Sequence, residues 1–199
     1  MPSKSEQVLQ LIRQDGLLRA RDLDAHQFPR QYLRLLCAAG KVQRVGRGLY
    51  RAVEAGLSAH HTLALAGKRV PRGVVCLLSA LGFHGVTTQH PFEVWLALES
   101  KSWRPKIEYP PLHLVWFSGA ARTTDIETHT IEGVSVRIYS LAKTVADCFK
   151  YRHKIGLEVA LGALRETWRQ RRATTDELWR CAQACRVAQV MRPYLESLA

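Results

Sequence analysis

The chain has 199 residues, of which 47% are hydrophobic and 23% are charged, a composition typical of a globular protein rather than a disordered one. Its 29 Lys and Arg residues exceed its 17 Asp and Glu residues, so the formal net charge is +12. A balance this basic favours an anionic partner, and nucleic acid above all. The N-terminus has polar residues among its apolar ones, and no apolar run approaches the ~18–20 residues of a membrane span. We therefore expect a cytoplasmic protein that does not use a membrane.

The five cysteines, at positions 37, 76, 148, 181 and 185, are an odd number and fall mostly inside apolar stretches. This pattern is typical of reduced core thiols. Only Cys181 and Cys185 share a helical face, and no second pair of ligands lies near them in the sequence. The sequence predicts neither a metal nor a cofactor.

The first 40 residues carry three helical patterns. Ser3 and Glu6 have the spacing of a capping box, and the apolar stripe that follows them ends at Gly16. The segment LRARDLDAHQF predicts a second, shorter helix. A third, PRQYLRLLCAAG, would bury Leu33, Leu36 and Cys37 and end at Gly40.

A β-hairpin is predicted directly after the third helix. KVQRV and LYRAV have the composition of strands, and GRG between them has that of a tight turn. Three short helices followed by a hairpin form a winged helix-turn-helix, which we assign to residues 1–56. In such a fold the third helix enters the major groove, and the wing contacts phosphates or a narrow minor groove.

The predicted DNA-binding residues lie on the third helix and on the wing. Arg30, Gln31 and Arg34 are placed opposite the buried leucines, where Arg suits guanine and Gln suits adenine. Cations flanking the hairpin are placed for phosphate contacts, which position a protein without specifying sequence. Glycines on either side of Arg47 would permit positive φ and close approach to DNA. The wing set is Lys41, Arg44, Arg47, Gly48 and Arg51.

Residues 57–199 predict a second domain of mixed α+β structure, so the fold class is α+β. FEVWLALE and PLHLVWFS are predicted strands, DIETHTI and VSVRIYS a hairpin, and GVVCLLSALGFHG a buried helix. Helices follow from residue 140 onwards, the last of them broken by Pro193. His60 and His61 are predicted to be solvated, and Ser79 to bond to a carbonyl of its own helix.

Several motifs in order resemble the AbiEi family, the antitoxins of abortive-infection (type IV) toxin–antitoxin systems in phage defence. They are RGLY at 47–50, CLLSAL at 76–81, HG at 84–85, TTQ at 87–89, VW at 94–95, IEGV at 131–134, KTVADCF at 143–149, YR at 151–152, KIG at 154–156 and MRPYL at 191–195.

The resemblance implies a DNA-binding antitoxin that represses its own operon and has no enzymatic activity. It implies double-stranded operator DNA as one partner. The other is a cognate nucleotidyltransferase-like toxin, countered by the second domain with or without a stable complex.

Two other functions are open from the sequence. One is a plain winged-helix transcription regulator without a toxin. The other is a Mg²⁺-dependent nuclease, because Glu99 and Lys101 follow a strand with E-x-K spacing, although no upstream aspartate accompanies them. Lys143 and Asp147, four residues apart, could serve acid–base chemistry, but the spacing favours an exposed ion pair. Arg169, Arg171 and Arg172 could extend a DNA contact, meet an acidic toxin surface or be solvated.

Overall fold

The structure is a computed structural model that describes residues 3–54, 58–87, 89 and 91–198. The predicted boundary between residues 56 and 57, and Thr88 of the TTQ motif, lie outside the described residues. The chain forms two compact units, one of residues 1–69 with 129–136 and one of residues 70–128 with 137–199. Whether function divides at residue 56 stays a prediction.

The first unit is a winged helix-turn-helix, as predicted. Strands β1, β3 and β2 form an antiparallel sheet in that order, with the wing between β2 and β3. The elements are α1 (Lys4–Asp15), β1 (Leu18–Arg19), α2 (Asp22–Ala25), α3 (Gln31–Ala38), β2 (Val42–Gly46), β3 (Leu49–Ala52) and α4 (His61–Arg69).

Helix α1 begins at the predicted capping box. The Glu6 N–H donates to Ser3 Oγ at 3.2 Å, and the Ser3 N–H donates to Glu6 Oε2 at 2.7 Å. These two bonds satisfy two of the N–H groups that a helix start leaves without partners. The apolar side of α1 then packs into the core of this unit through Val8, Leu9 and Ile12.

A hairpin tip from far along the chain completes the first unit. Glu132 accepts hydrogen bonds from the Ser58 N–H and Oγ, both at 2.9 Å, and lies 2.6 Å from His61 Nδ1. The His61 side chain is 16% exposed, so the prediction that it is solvated is wrong. Burial opposes ionisation of Glu132, but the bonds from His61 and Ser58 outweigh it and lower its pKa. A Cβ on Gly16 would overlap the Glu132 carbonyl, so this contact requires glycine.

The second unit is α+β, with a five-stranded sheet in the order β6-β5-β4-β8-β7. β4 pairs antiparallel with β5 and parallel with β8, and β5 pairs parallel with β6. The hairpin of β7 and β8 contributes its tip to the first unit. The elements are β4 (Val74–Val75), α5 (Leu77–His84), β5 (Val94–Glu99), β6 (Leu112–Phe117), α6 (Ala120–Thr123), β7 (Ile126–Ile131), β8 (Val134–Tyr139), α7 (Leu141–Lys150), α8 (Arg152–Ile155), α9 (Leu157–Arg169), α10 (Thr175–Ala184) and α11 (Ala188–Glu196).

Three local predictions for this unit are corrected. GVVCLLSALGFHG is not one helix, because Val74 and Val75 pair into the sheet before α5 begins. Ser79 Oγ accepts from the Trp95 N–H at 2.9 Å rather than donating within its own helix. Pro193 lies inside α11, and the helical stretch is instead interrupted near Arg186, whose φ is +60°. Helices commonly end at a residue whose backbone is in the left-handed region.

Lys143 and Asp147 are fully buried. The prediction that they form an exposed ion pair is therefore wrong. Lys143 Nζ lies 2.6 Å from both carboxylate oxygens of Asp147. The Cys185 thiol donates to Asp147 Oδ1 at 3.2 Å, and the ammonium also lies 4.2 Å from the centre of the Tyr139 ring. Burial raises the pKa of Asp147, and Lys143 opposes that rise.

Helix α7 carries this pair because it is covered on every side. Residues 141–149 are all buried, with α5, α9 and α10 packed against the helix. The i,i+4 spacing places the two side chains on one face but does not say whether that face is covered. The four cysteines at 76, 148, 181 and 185 are buried and free, as predicted. Cys37 is free but partly exposed, so the prediction that the third helix buries it is wrong.

We expect Lys143→Met to destabilise the protein by about 3–5 kcal/mol, because it leaves the Asp147 carboxylate buried without its cation. The double variant Lys143→Met/Asp147→Leu should recover most of that loss, because both charges are then absent. Urea unfolding monitored by circular dichroism measures both. Arg192→Ala, which breaks the exposed i,i+4 pair with Glu196, is the matched control and should unfold like the wild type. If Lys143→Met were as stable as Arg192→Ala, the conclusion that Lys143 and Asp147 form a buried ion pair would be contradicted.

Candidate nucleic-acid interface

Helix α3 is held in place by two leucines. Leu33 and Leu36 are 2% and 3% exposed and belong to the same apolar cluster as the buried residues of α1. Anchoring α3 through these two positions determines which of its side chains face outward, because side chains advance by about 100° per residue.

The outward face of α3 is formed by Gln31, Arg34, Leu35 and Ala38, all of them exposed. Their i, i+3, i+4 and i+7 spacing places them together, opposite the two buried leucines. Gln31 and Arg34 lie there as predicted. Leu35 was not singled out from the sequence, because a leucine in the run LRLL counts towards the core, yet it is 56% exposed.

Arg30 precedes α3 and already has a partner. Its Nε donates to Asp24 Oδ1 at 3.1 Å, and its terminal nitrogen pairs with Oδ2. The hydrogen bond to Asp24 raises the pKa of Arg30, and the same bond lowers the pKa of Asp24. Among the described residues, Arg34 has no ion-pair partner. The two arginines therefore differ in their availability to an external ligand.

The wing is a tight turn with one exposed arginine at its tip. Gly48 has φ of +70° with open space around its Cα, so backbone conformation accounts for that glycine. Gly46 does not have positive φ, so the prediction is wrong for that glycine, and a Cβ there would meet only the movable guanidinium end of Arg69. Arg47 between them is exposed and, within the described chain, makes no ion pair.

The remaining predicted cations lie along the two strands of the wing. Lys41 and Arg44 are exposed, and Arg44 Nε donates to the Gly46 carbonyl at 3.2 Å. Arg51 is half-buried, and its terminal nitrogen donates to Gln43 Oε1 at 3.1 Å across the hairpin. Every predicted DNA-binding residue thus lies between Arg30, directly before α3, and the end of the wing.

The E-x-K segment at the end of β5 places two charged groups at the surface. Glu99 and Lys101 are both exposed. Glu93 lies 3.2 Å from His113 Nδ1. Within the described ranges no three side chains of His, Cys, Asp or Glu are grouped as a metal would require. The described helices also include none with the length and apolar composition of a membrane span.

Two of the three arginines at positions 169, 171 and 172, and one cysteine of the Cys181 and Cys185 pair, contact nearby groups of the second unit. Arg169 pairs with Glu166, and Arg172 donates to the His84 carbonyl. The Cys181 thiol donates to Asp125 Oδ2 at 3.0 Å.

Comparison with known families finds one similarity, which lies within the first unit. Residues 6–53 match the family model described as transcriptional regulator, AbiEi antitoxin. Over these residues the chain is similar to the AbiEi antitoxin regulators. The matched segment runs from α1 to the end of the wing, and it confirms the resemblance inferred from the sequence. The motifs from residue 76 onwards lie outside the matched segment. No match was found among curated proteins.

Proposed function

We propose that the protein is a cytoplasmic antitoxin and autorepressor that binds double-stranded operator DNA through α3 and the wing. The observation that carries the proposal is the face of Gln31, Arg34, Leu35 and Ala38 on α3, in the unit whose wing carries Arg47. An amide, a guanidinium and two apolar groups are the side chains that recognise base edges in the major groove. The AbiEi match supports a regulatory role for this unit.

The roles of the two arginines differ. Arg34 lies on the outward face of α3, where bidentate bonds to a guanine would contribute specificity. Arg47 lies at the wing tip, where a phosphate contact would contribute affinity for any sequence. Arg30 would have to give up its ion pair with Asp24 before it could contact DNA, so we expect it to contribute less to DNA affinity than Arg34 or Arg47.

The second partner in the proposal is a nucleotidyltransferase-like toxin, countered by residues 57–199. The support is the motifs of the sequence resemblance, which run from residue 76 to residue 195. Under this division of labour, DNA binding and toxin neutralisation depend on different side chains.

We expect Arg34→Ala to weaken binding to DNA from upstream of the operon by about tenfold or more, with little effect on unrelated duplexes. Arg47→Ala should weaken binding to all duplexes and lower the slope of log affinity against log salt by about one unit. Gel shifts across a salt series measure both. Arg165→Ala, which removes an exposed arginine of α9, is the matched control. Wild-type affinity in both variants would refute this interface.

We expect Leu35 to contact the 5-methyl group of thymine, the apolar feature of the major groove. Replacing thymine throughout the upstream fragment by uracil should weaken wild-type binding several-fold. Leu35→Ala should bind the thymine fragment more weakly and lose most of its preference over the uracil fragment. Competition gel shifts with the two fragments measure that preference. An undiminished preference in Leu35→Ala would exclude this contact.

We expect the double variant Arg34→Ala/Arg47→Ala to protect cells from the toxin encoded beside it while failing to repress the operon promoter. A growth assay with toxin induction and a promoter–reporter fusion separate the two activities. Loss of both activities in a protein that folds normally would contradict the division of labour.

A further inference from the structure

The connection between β5 and β6 exposes aromatic side chains on an extended backbone. Residues 102–108 run without a turn or helix. Because β5 and β6 are parallel neighbours, this connection must return along the length of a six-residue strand, about 20 Å. We call residues 101–109 the aromatic strap.

Two aromatic side chains lie at the end of the strap that follows β5. Trp103 is 91% exposed, so its indole contributes almost nothing to packing. Trp116, near the end of β6, is 43% exposed, and its Nε1 donates to the Ser102 carbonyl at 3.4 Å. That bond ties the strap to the edge strand beside Trp103.

Two more aromatic side chains lie at the other end. Tyr109 precedes β6 and is 48% exposed, and Phe92 precedes β5 and is 90% exposed. The register pairs the first residues of the two strands with each other, so both rings precede the same end of the β5–β6 pair. Single exposed apolar residues are ordinary, but four large aromatics around one connection are not.

Three cations lie along the strap, one before Trp103 and two between Trp103 and Tyr109. Lys101, Arg104 and Lys106 are all exposed, and no carboxylate occurs from residue 100 to residue 107. Glu99 and Glu108 bound this run on either side. The order along the strap is therefore cation, aromatic, two cations, aromatic, over at most about 29 Å of extended chain.

We propose that the aromatic strap binds single-stranded nucleic acid, with bases stacked on Trp103 and Tyr109 and phosphates on Arg104 and Lys106. Ring faces stack on base faces, which only an unpaired strand presents, and cations between the rings follow the backbone. A track of this length spans several nucleotides, since one strand of a stacked helix carries a phosphate about every 3.4 Å. A protein partner would favour a contiguous apolar patch over cations alternating with isolated rings.

The test uses the full-length protein and fluorescein-labelled oligomers of dT and rU, about twelve nucleotides long, in fluorescence anisotropy titrations. Trp103→Ala should weaken binding to at least one oligomer by about fivefold to a hundredfold, because stacking is lost. Trp103→Phe should retain most of the affinity, because a ring remains. Arg104→Ala should weaken binding and reduce its salt dependence, whereas Arg165→Ala should not.

Two further measurements locate the contact. Saturating oligonucleotide should quench tryptophan emission, and the quenching should be smaller in Trp103→Phe, where the strap indole is missing. The quenching in Arg165→Ala should equal that of the wild type, because this exposed arginine of α9 lies outside the strap.

The proposal is overturned if neither oligomer binds, or if Trp103→Ala binds like the wild type. It is also overturned if the strap variants bind oligonucleotides normally but lose co-purification with the toxin, because the strap is then a protein-binding surface. A duplex that depends on Trp103 as strongly as a single strand does would exclude stacking on exposed bases.

Discussion

The orientation of α3 is the constraint on which the proposed interface depends. Leu33 and Leu36 bury one side of an eight-residue helix, and every outward position follows from that choice. Moving the buried pair by one residue would rotate the helix by about 100° and turn Arg34 away from its present face. The packing of the core of the first unit therefore determines which side chains α3 exposes at the surface.

The features that could be predicted from the sequence are those set by neighbouring residues. The capping box of Ser3 and Glu6 involves residues three apart, and it forms as predicted. The wing was predictable because its turn needs a glycine where φ is positive, and Gly48 supplies it. The exposed positions of α3 followed from helical periodicity once the leucines were assigned to the core, except at Leu35.

The features that could not be predicted depend on distant partners. The strand at Val74 exists because β5 and β8 flank it, and a short apolar run cannot by itself distinguish strand from helix. Likewise, the spacing of Lys143 and Asp147 is the same in a solvated pair and in a buried one. The helices packed around α7 exclude solvent from the pair, and this packing makes it a buried ion pair rather than a surface one.

The position of Glu132 in the first unit has a consequence for how the protein is made. The ribosome completes residues 1–69 well before it reaches the hairpin tip at 129–136. At typical elongation rates of about 5–20 residues per second, the delay is roughly 3 to 13 seconds. During that interval the nascent chain lacks the carboxylate that binds Ser58 and His61. Translation that terminates before residue 129 therefore yields a chain without its finished winged unit.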